Sequence, residues 1–268
     1  MELFFRKLGI GPPLIILHGL YGSSDNWITI GKALAEQFTV YIPDQRNHGS
    51  SPHSGDHDYY ALRDDLLEFM DKNKIQKSTF IGHSMGGKTT MFFAVAYPER
   101  VKNFIIVDIS PRSYISVEQN EQQSIDHMNI INALINVDLN LIQSRTELDK
   151  MLANDIKNSS IRQFLLKNLV REGNQKFRWK INIQAIRNHL PDIMAGLKEN
   201  DKNENTKNIP CLFIKGELSD YLLERDHELV KSFFPKAEFA SIFDAGHWPH
   251  AEKTVSFLNV VKFFLKEE

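Results

Sequence analysis

Cysteine is almost absent from the sequence. Cys211 is the single cysteine among 268 residues. One thiol can form no intrachain disulfide and cannot by itself supply a cysteine-based metal site, which fits a reducing compartment. We therefore expect a cytoplasmic protein.

Long apolar runs and an N-terminal targeting signal are also lacking. The apolar runs, such as residues 14–17 and 104–107, are far shorter than the ~18 residues that a membrane span needs. The first residues contain no sustained apolar stretch before a small-residue cleavage site. The sequence therefore predicts neither a membrane span nor a signal peptide.

A strong charge of one sign is missing as well. The chain carries 32 lysines and arginines against 34 aspartates and glutamates, a formal net charge of -2. This balance offers no global attraction for nucleic acid or for an anionic lipid surface. We predict no nucleic-acid partner, and the oligomeric state stays open between a monomer and a homodimer.

What the sequence does contain is a regular alternation of strand and helix patterns. Apolar spacing predicts helices at 59–72 and 88–97. Short runs rich in Ile, Val and Phe are typical of strands that are covered on both faces. These runs occupy residues 14–17, 39–42, 79–81, 104–109, 212–214 and 239–242. The alternation predicts an α/β architecture with a mostly parallel central sheet flanked by helices.

The alternation stops after residue 109 and resumes only at residue 212. The intervening residues 112–208 show almost no strand signal. They repeat apolar residues at helical spacing and end in a polar linker; these stretches are 125–135, 148–156, 161–170 and 200–208. Such an insertion predicts a helical cap over the carboxyl ends of the strands, where α/β proteins bind ligands. We expect a core of residues 1–111 and 209–268 and a cap of residues 112–208.

The segment G-H-S-M-G at residues 82–86 lies between a predicted strand and a predicted helix. In that context G-x-S-x-G places its serine on a sharp, strained turn, so that the hydroxyl of Ser84 projects above the sheet. The N-terminus of the following helix directs N–H groups at an oxyanion formed there. The pattern predicts that Ser84 is a nucleophile, and the alternative is a glycine-rich turn with an idle serine.

The loop after the strand at 14–17 favours the prediction that Ser84 is a nucleophile. It begins with His18 and Gly19, at the place where this kind of site takes its second oxyanion donor. We expect the backbone N–H groups of Leu20 and Met85 to form the oxyanion hole.

A histidine follows the last predicted strand. His247 lies in a turn that starts with glycine and precedes a final helix at 254–265. A serine hydroxyl needs a base within hydrogen-bond reach, and we predict that His247 is this base. The loop histidines His48, His53 and His57 match no metal-ligand spacing, so we predict no metal site and no cofactor.

Asp108 and Asp220 are the two candidates for the acid that orients such a histidine. Both keep the chain order serine, acid, histidine. Asp220 follows a strand at the usual location, but counted from Gly216 it is one residue late, and Ser219 holds the expected position. Asp108 closes the strand next to that of the nucleophile, where an aspartate buried without a partner is costly. We favour Asp108 and keep Asp220 as the alternative.

Together these residues resemble the α/β-hydrolase superfamily over nearly the whole chain except the cap. The segment P-D-Q-R-N-H-G-S-S at 43–51 is similar to that superfamily's P-D-x-R-x-H-G-x-S. Residues 18–27, 107–111 and 246–253 are similar to small helical-capped bacterial esterases of the YbfF type. That branch places its acid after the strand that carries Asp108, and it has a serine where Ser219 stands.

The resemblance implies an α/β-hydrolase fold and a serine carboxylesterase that uses a Ser-His-Asp triad and an acyl-enzyme. Its substrate is then a short- to medium-chain acyl ester or an acyl-CoA thioester, and we expect Tyr21, Ser219 and Trp248 to contact it. One alternative is a lyase of the same fold, which would need cations for a carboxylate metabolite. The candidate cations are Arg112, Arg145, Arg178, Lys180 and Arg187. The other alternative is a non-catalytic ligand-binding homologue.

Overall fold

The computed structural model describes residues 1–115, 122–173 and 176–267. Its strands are β1 (Phe5–Leu8), β2 (Pro13–Leu17), β3 (Thr39–Pro43), β4 (Ser78–His83), β5 (Val101–Val107), β6 (Leu169–Glu172), β7 (Lys176–Trp179), β8 (Cys211–Gly216) and β9 (Ala237–Ile242). Seven of them form one sheet in the order β1-β3-β2-β4-β5-β8-β9. All neighbours in this sheet are parallel except β1, which is antiparallel to β3.

Helices cover both faces of the sheet. The α-helices are α1 (Ile28–Leu34), α2 (Tyr59–Lys72), α3 (Met85–Ala96), α4 (Gln122–Ile135), α5 (Arg145–Leu152), α6 (Ser159–Leu166), α7 (Ile183–Asn188), α8 (Leu190–Met194), α9 (His227–Phe233), α10 (Pro249–Glu252) and α11 (Thr254–Glu267). Short 3-10 helices lie at Ser24–Trp27, Pro98–Arg100, Glu199–Asp201, Glu204–Asn208 and Glu224–Asp226. None of the helices described is long and apolar enough to cross a membrane.

The central strands are apolar throughout because each of their faces is covered. In β2, Ile15 and Leu17 belong to the apolar cluster that includes α2 and α3, whereas Leu14 and Ile16 belong to the cluster that includes α1 and α11. This alternation follows from the pleat, which turns successive side chains to opposite faces. The predicted parallel sheet flanked by helices is therefore confirmed.

The chain leaves the sheet after β5 and returns at β8, its neighbour in the sheet. The described residues between them include α4 to α8 and the strands β6 and β7, and α4 contacts both α7 and α8. This insertion is the segment that was expected to form the cap. Its assignment as a cap of residues 112–208 stays a prediction, and residues 116–121 and 174–175 of it lie outside the described part of the chain.

Strands at two places in the chain were not predicted from the sequence. The antiparallel hairpin β6–β7 lies inside the segment that was expected to lack strands, and α6 ends at Leu166, although a helix to residue 170 was predicted. Leu169 and Phe177 are buried, whereas Arg171 and Arg178 are exposed. Because Leu169 and Arg171 lie on the same face of β6, this strand lacks the alternation of apolar and polar residues by which strands are recognised in sequence. The edge strand β1 was missed for the same reason, since its four residues include two basic ones.

Candidate active site

Ser84 lies in a sharp turn between β4 and α3. Its backbone is in the left-handed region, with φ 50° and ψ -119°, and a non-glycine residue held there costs of the order of 1–3 kcal/mol. The turn is crowded. A Cβ on Gly82 would lie 2.4 Å from the carbonyl oxygen of Gly86, and a Cβ on Gly86 would lie 2.4 Å from that of Leu17. Both glycines of the motif are therefore required sterically.

His247 lies in the loop between β9 and α10. Its Nδ1 is 2.7 Å from Oδ2 of Asp108. The phenol ring of Tyr221 stacks on the imidazole with 3.9 Å between ring centroids and 24° between the planes. Nε2 of His83 donates to the backbone carbonyl of His247 at 2.8 Å. The imidazole is thus held by a carboxylate at one edge and by an aromatic ring on one face.

Asp108 is completely buried at the end of β5. Its φ is 51°, which ends the strand at Val107, two residues earlier than expected. Oδ1 accepts a hydrogen bond from the backbone N–H of Gly216 at 3.0 Å, and Oδ2 accepts one from the hydroxyl of Ser219 as well as from His247. Several donors compensate the burial of this carboxylate and fix its orientation.

The other candidate acid is located elsewhere. Asp220 has an exposed side chain, and its backbone carbonyl accepts a hydrogen bond from Arg112 at 3.4 Å. The structure therefore brings Asp108 to His247 and leaves Asp220 at the surface. Ser219, which we expected at the substrate, donates to Asp108 instead and does not line the cavity beside Ser84. Its place beside the acid favours a positioning role, because its hydroxyl is already used.

The loop after β2 passes directly against the serine. A Cβ on Gly19 would lie 2.7 Å from Nδ1 of His83 and 3.2 Å from Cβ of Ser84. Leu20, Ser84 and Met85 together line a narrow cleft of about 10 Å³. Met85 is the first residue of α3, so its N–H has no acceptor within the helix. The arrangement puts both expected oxyanion donors next to the serine.

His48, the histidine of the 43–51 loop, supports this neighbouring loop. His48 donates from Nδ1 to the carbonyl of Arg46 at 2.9 Å and accepts at Nε2 from the backbone N–H of Tyr21 at 3.2 Å. Burial holds the pKa of His48 well below its usual value, so the ring is neutral and can accept. Within the described residues no group of three or more His, Cys, Asp or Glu side chains could hold a metal ion.

A cavity of about 210 Å³ lies over Ser84 and His247. Its walls come from the loops of the core and from helices α4 and α6. The lining residues are Leu20, Tyr21, His83, Ser84, Asp126, His127, Ile130, Ile161, Phe164, Leu165, Tyr221, His247 and Trp248. Tyr21 and Trp248, which we expected to contact the substrate, are among these lining residues.

A larger and more open cavity of about 420 Å³ adjoins the first. Phe164 and Trp248 line both cavities, and their ring centroids are 5.6 Å apart. The outer cavity is otherwise lined mainly by polar residues, which include Asn26, Ser159, Ser160, Gln163, Lys167 and Glu252. An aromatic pair therefore lies where the two cavities meet.

The cations that a lyase would need do not line the cavity over Ser84. Arg112 pairs with Asp226 at 3.2 Å, and Arg145 donates to the carbonyl of Leu169 at 2.7 Å. Lys88 and Ser84 line the same narrow cleft. The ammonium of Lys88 donates to the backbone carbonyls of Arg112 and Met194 at 2.9 and 3.2 Å. These contacts give the buried lysine a structural role at the start of the cap.

Two residues at this site were missed in the sequence. His127 of α4 and Tyr221 after β8 both line the cavity, and their side chains are hydrogen-bonded to each other at 3.2 Å. Neither residue belongs to a recognisable motif, and 94 positions separate them in the chain. Only the folded arrangement brings them together.

Comparisons with known proteins agree with this geometry. The family model of the alpha/beta hydrolase fold matches residues 12–254. The chain is 36% identical over 260 residues to the sn-1-specific diacylglycerol lipase ABHD11 of Xenopus tropicalis, and the alignment covers 96% of this chain and 78% of that protein. It is 31% identical over 255 residues to the esterase YbfF of Escherichia coli, and that alignment covers 95% of this chain and 93% of the esterase.

A solved structure is similar over the whole length. The marine microorganism esterase superposes with a TM-score of 0.92 at 44% identity and covers 98% of this chain and 99% of its own. These findings confirm the predicted fold, the resemblance to YbfF-type esterases and the expected enzyme class, a carboxylic ester hydrolase. The chain therefore belongs to the α/β-hydrolase superfamily.

Proposed function

We propose that this protein is a serine esterase with Ser84 as the nucleophile, His247 as the base and Asp108 as the acid. The single observation that carries the proposal is the hydrogen bond between Asp108 and Nδ1 of His247. His247 lines the same cavity as Ser84, which lies on a strained turn. Because Nδ1 donates to the carboxylate, Nε2 is left to accept the serine proton.

The acylation step follows from these positions. Ser84 Oγ attacks the acyl carbonyl while Nε2 of His247 takes the hydroxyl proton, and the buried carboxylate of Asp108 stabilises the imidazolium. The N–H groups of Leu20 and Met85 donate to the oxyanion of the tetrahedral intermediate. The C–O bond to the alcohol then breaks, and His247 passes its proton to the departing oxygen.

Deacylation repeats the chemistry with water. His247 removes a proton from a water molecule, which attacks the acyl carbon of the ester on Ser84. Collapse of the second intermediate releases the carboxylic acid and returns the proton to the serine oxygen. No metal or organic cofactor takes part in these steps.

The inner cavity supports short- to medium-chain acyl groups as substrates. Its walls from the cap include Ile130, Ile161 and Leu165, and each CH₂ that is buried there contributes ~0.8 kcal/mol until the space is full. That energy corresponds to about fourfold in kcat/KM per added carbon. We expect kcat/KM to rise with acyl length and then to fall sharply.

A larger lipid ester is the second candidate substrate. The outer cavity adjoins the inner one at Phe164 and Trp248, so a second chain or a polar backbone of a glycerolipid has space beside the acyl group. The relatives named as diacylglycerol lipases point in the same direction.

One substrate screen separates these candidates. It would use p-nitrophenyl esters from C2 to C16, acyl-CoA thioesters and emulsified diacylglycerol with the purified protein. The proposal requires turnover of at least the short esters. A rate that keeps rising to C16, with activation at the oil-water surface, would favour the lipid ester, and no turnover of any of them would contradict the proposed function.

A further inference from the structure

A histidine of helix α4 bridges two tyrosines of the core. Nδ1 of His127 lies 3.3 Å from the hydroxyl of Tyr21, and its Nε2 lies 3.2 Å from the hydroxyl of Tyr221. All three side chains line the cavity over Ser84. Both ring nitrogens of the histidine are therefore engaged with the core, beside the candidate nucleophile.

The bridge is neutral at neutral pH. Burial lowers the pKa of His127 to about 4, and burial raises the pKa values of the hydroxyls of Tyr21 and Tyr221. A neutral imidazole has one N–H donor and one acceptor nitrogen. One tyrosine therefore donates to His127 and the other accepts from it, so a single tautomer satisfies both contacts.

Each tyrosine is next to a different residue of the proposed active site. The ring of Tyr221 stacks on the imidazole of His247 at 3.9 Å. Tyr21 follows Leu20 directly, and its backbone has φ 61° in the left-handed region. A shift of Tyr221 would move the base, and a shift of Tyr21 would move the oxyanion donor.

The backbone of each tyrosine is held independently of His127. The N–H of Tyr21 donates to His48 at 3.2 Å, and Asn168 donates to its carbonyl at 2.8 Å. The N–H of Tyr221 donates to the hydroxyl of Ser219 at 3.3 Å, and its carbonyl accepts from the hydroxyl of Tyr114. The contacts with His127 therefore act on the phenol groups of the two tyrosines and not on their backbones.

We propose that His127 is a positioning residue through which the cap holds Tyr221 against His247 and Tyr21 behind Leu20. This inference rests on the proposed serine esterase function. It makes the cap part of the catalytic arrangement, since the cap sets the orientation of the base in addition to covering the substrate.

The experiment measures kcat and KM for p-nitrophenyl acetate with the full-length protein and a set of variants. His127→Ala removes both contacts, whereas Tyr221→Phe removes one hydroxyl and keeps the stacked ring. We expect each to lower kcat by about tenfold to a hundredfold, the scale of a misplaced catalytic group, with KM within about twofold. The double variant should be no slower than the slower single one, because both changes break the same bond.

Conservative variants and a control complete the test. In His127→Gln the amide can reach the place of Nε2 and should restore part of kcat, whereas in His127→Asn it reaches only the place of Nδ1 and should restore less. Met128→Ala alters the exposed neighbouring residue of α4 and should leave kcat unchanged. Labelling by a fluorophosphonate counts the folded sites in each preparation, so kcat is expressed per competent site.

The outcomes separate the two proposals. An unchanged kcat with a raised KM in His127→Ala would overturn the positioning role and make His127 a substrate contact. Additive losses in the double variant would overturn it too. Failure of the wild-type protein to hydrolyse any ester would instead contradict the proposed function.

Discussion

Oδ2 of Asp108 lies 2.7 Å from Nδ1 of His247, although 139 positions separate the two residues in the chain. Asp108→Asn keeps the volume of the side chain but offers an amide to the histidine, and this favours the wrong tautomer. We expect a loss of about 10⁴ in kcat, measured with p-nitrophenyl acetate.

Asp220→Asn is the matched control for that change. Because the Asp220 side chain is exposed, its loss should cost less than about tenfold, as for a surface substitution. If Asp220→Asn were the crippling variant, the acid would have to come from the later strand and the assignment of Asp108 would be wrong.

Ser219→Ala tests the donor beside the acid. The substitution removes the hydroxyl that donates to Oδ2 of Asp108 and leaves the bonds from Gly216 and His247. A hydrogen bond to a charged group contributes about 1.5–3 kcal/mol, so we expect kcat to fall by at most about a hundredfold. A loss as large as that of Asp108→Asn would show that the serine is an equal partner in the triad.

Phe164 and Trp248 form the ring pair between the two cavities, and removal of one ring should change the preferred acyl length. Phe164→Ala should join the inner and outer cavities, since Phe164 lines both. We expect the optimum acyl chain, read from kcat/KM across a C2 to C16 series, to lengthen by several carbons. Phe263→Ala removes an exposed phenyl ring of α11 and serves as the control. An unaltered optimum in Phe164→Ala would mean that this ring does not limit the acyl site.

A buried histidine near the last helix predicts acid sensitivity. The imidazole of His250 stacks on Trp27 with 4.1 Å between centroids and 10° between planes, and burial lowers its pKa to about 3. The unfolded chain binds a proton at this residue below its ordinary pKa of about 6.5, whereas the folded chain does not. Its contribution to stability is therefore present above pH 6.5 and is lost as the pH falls towards 3.

His250→Phe removes the group that binds this proton in the unfolded chain, and it keeps an aromatic ring against Trp27. Between pH 6.5 and 4.5 the free energy of unfolding should fall less steeply in the variant, by up to about 1.4 kcal/mol per pH unit. Denaturant titrations at several pH values measure the slope, and His53→Phe replaces an exposed histidine as the control. Equal slopes in the wild type and His250→Phe would contradict the neutral state of His250.

The surroundings of Ser84 could be anticipated from the sequence because they depend on local constraints. A turn in which a Cβ on Gly82 would lie 2.4 Å from the carbonyl oxygen of Gly86 tolerates few residue types, and it leaves a short, recognisable pattern. The strands around it are apolar on both faces, which is also a local signal. Asp108 was identifiable because a carboxylate in such an apolar run needs a partner.

The contacts between the expected cap and the core could not be anticipated in the same way. His127 and Tyr221 contribute through a hydrogen bond between segments that are 94 positions apart, and either residue would look ordinary on a helix or in a loop. The β6–β7 hairpin has four residues in each strand, too few for a period of two to stand out. Ser219 was assigned to the substrate because the sequence does not reveal that its hydroxyl points at Asp108.

Covalent labelling of the serine tests the central claim most directly. A fluorophosphonate probe is incubated with the wild-type protein and with Ser84→Ala, and the adduct is located by intact mass and peptide mapping, with thermal unfolding to verify the fold. We expect a single adduct on Ser84 in the wild type, no adduct in the variant, and a loss of ~10⁴ or more in kcat on removal of the hydroxyl. An adduct on another residue, or ester turnover that survives in Ser84→Ala, would contradict the account.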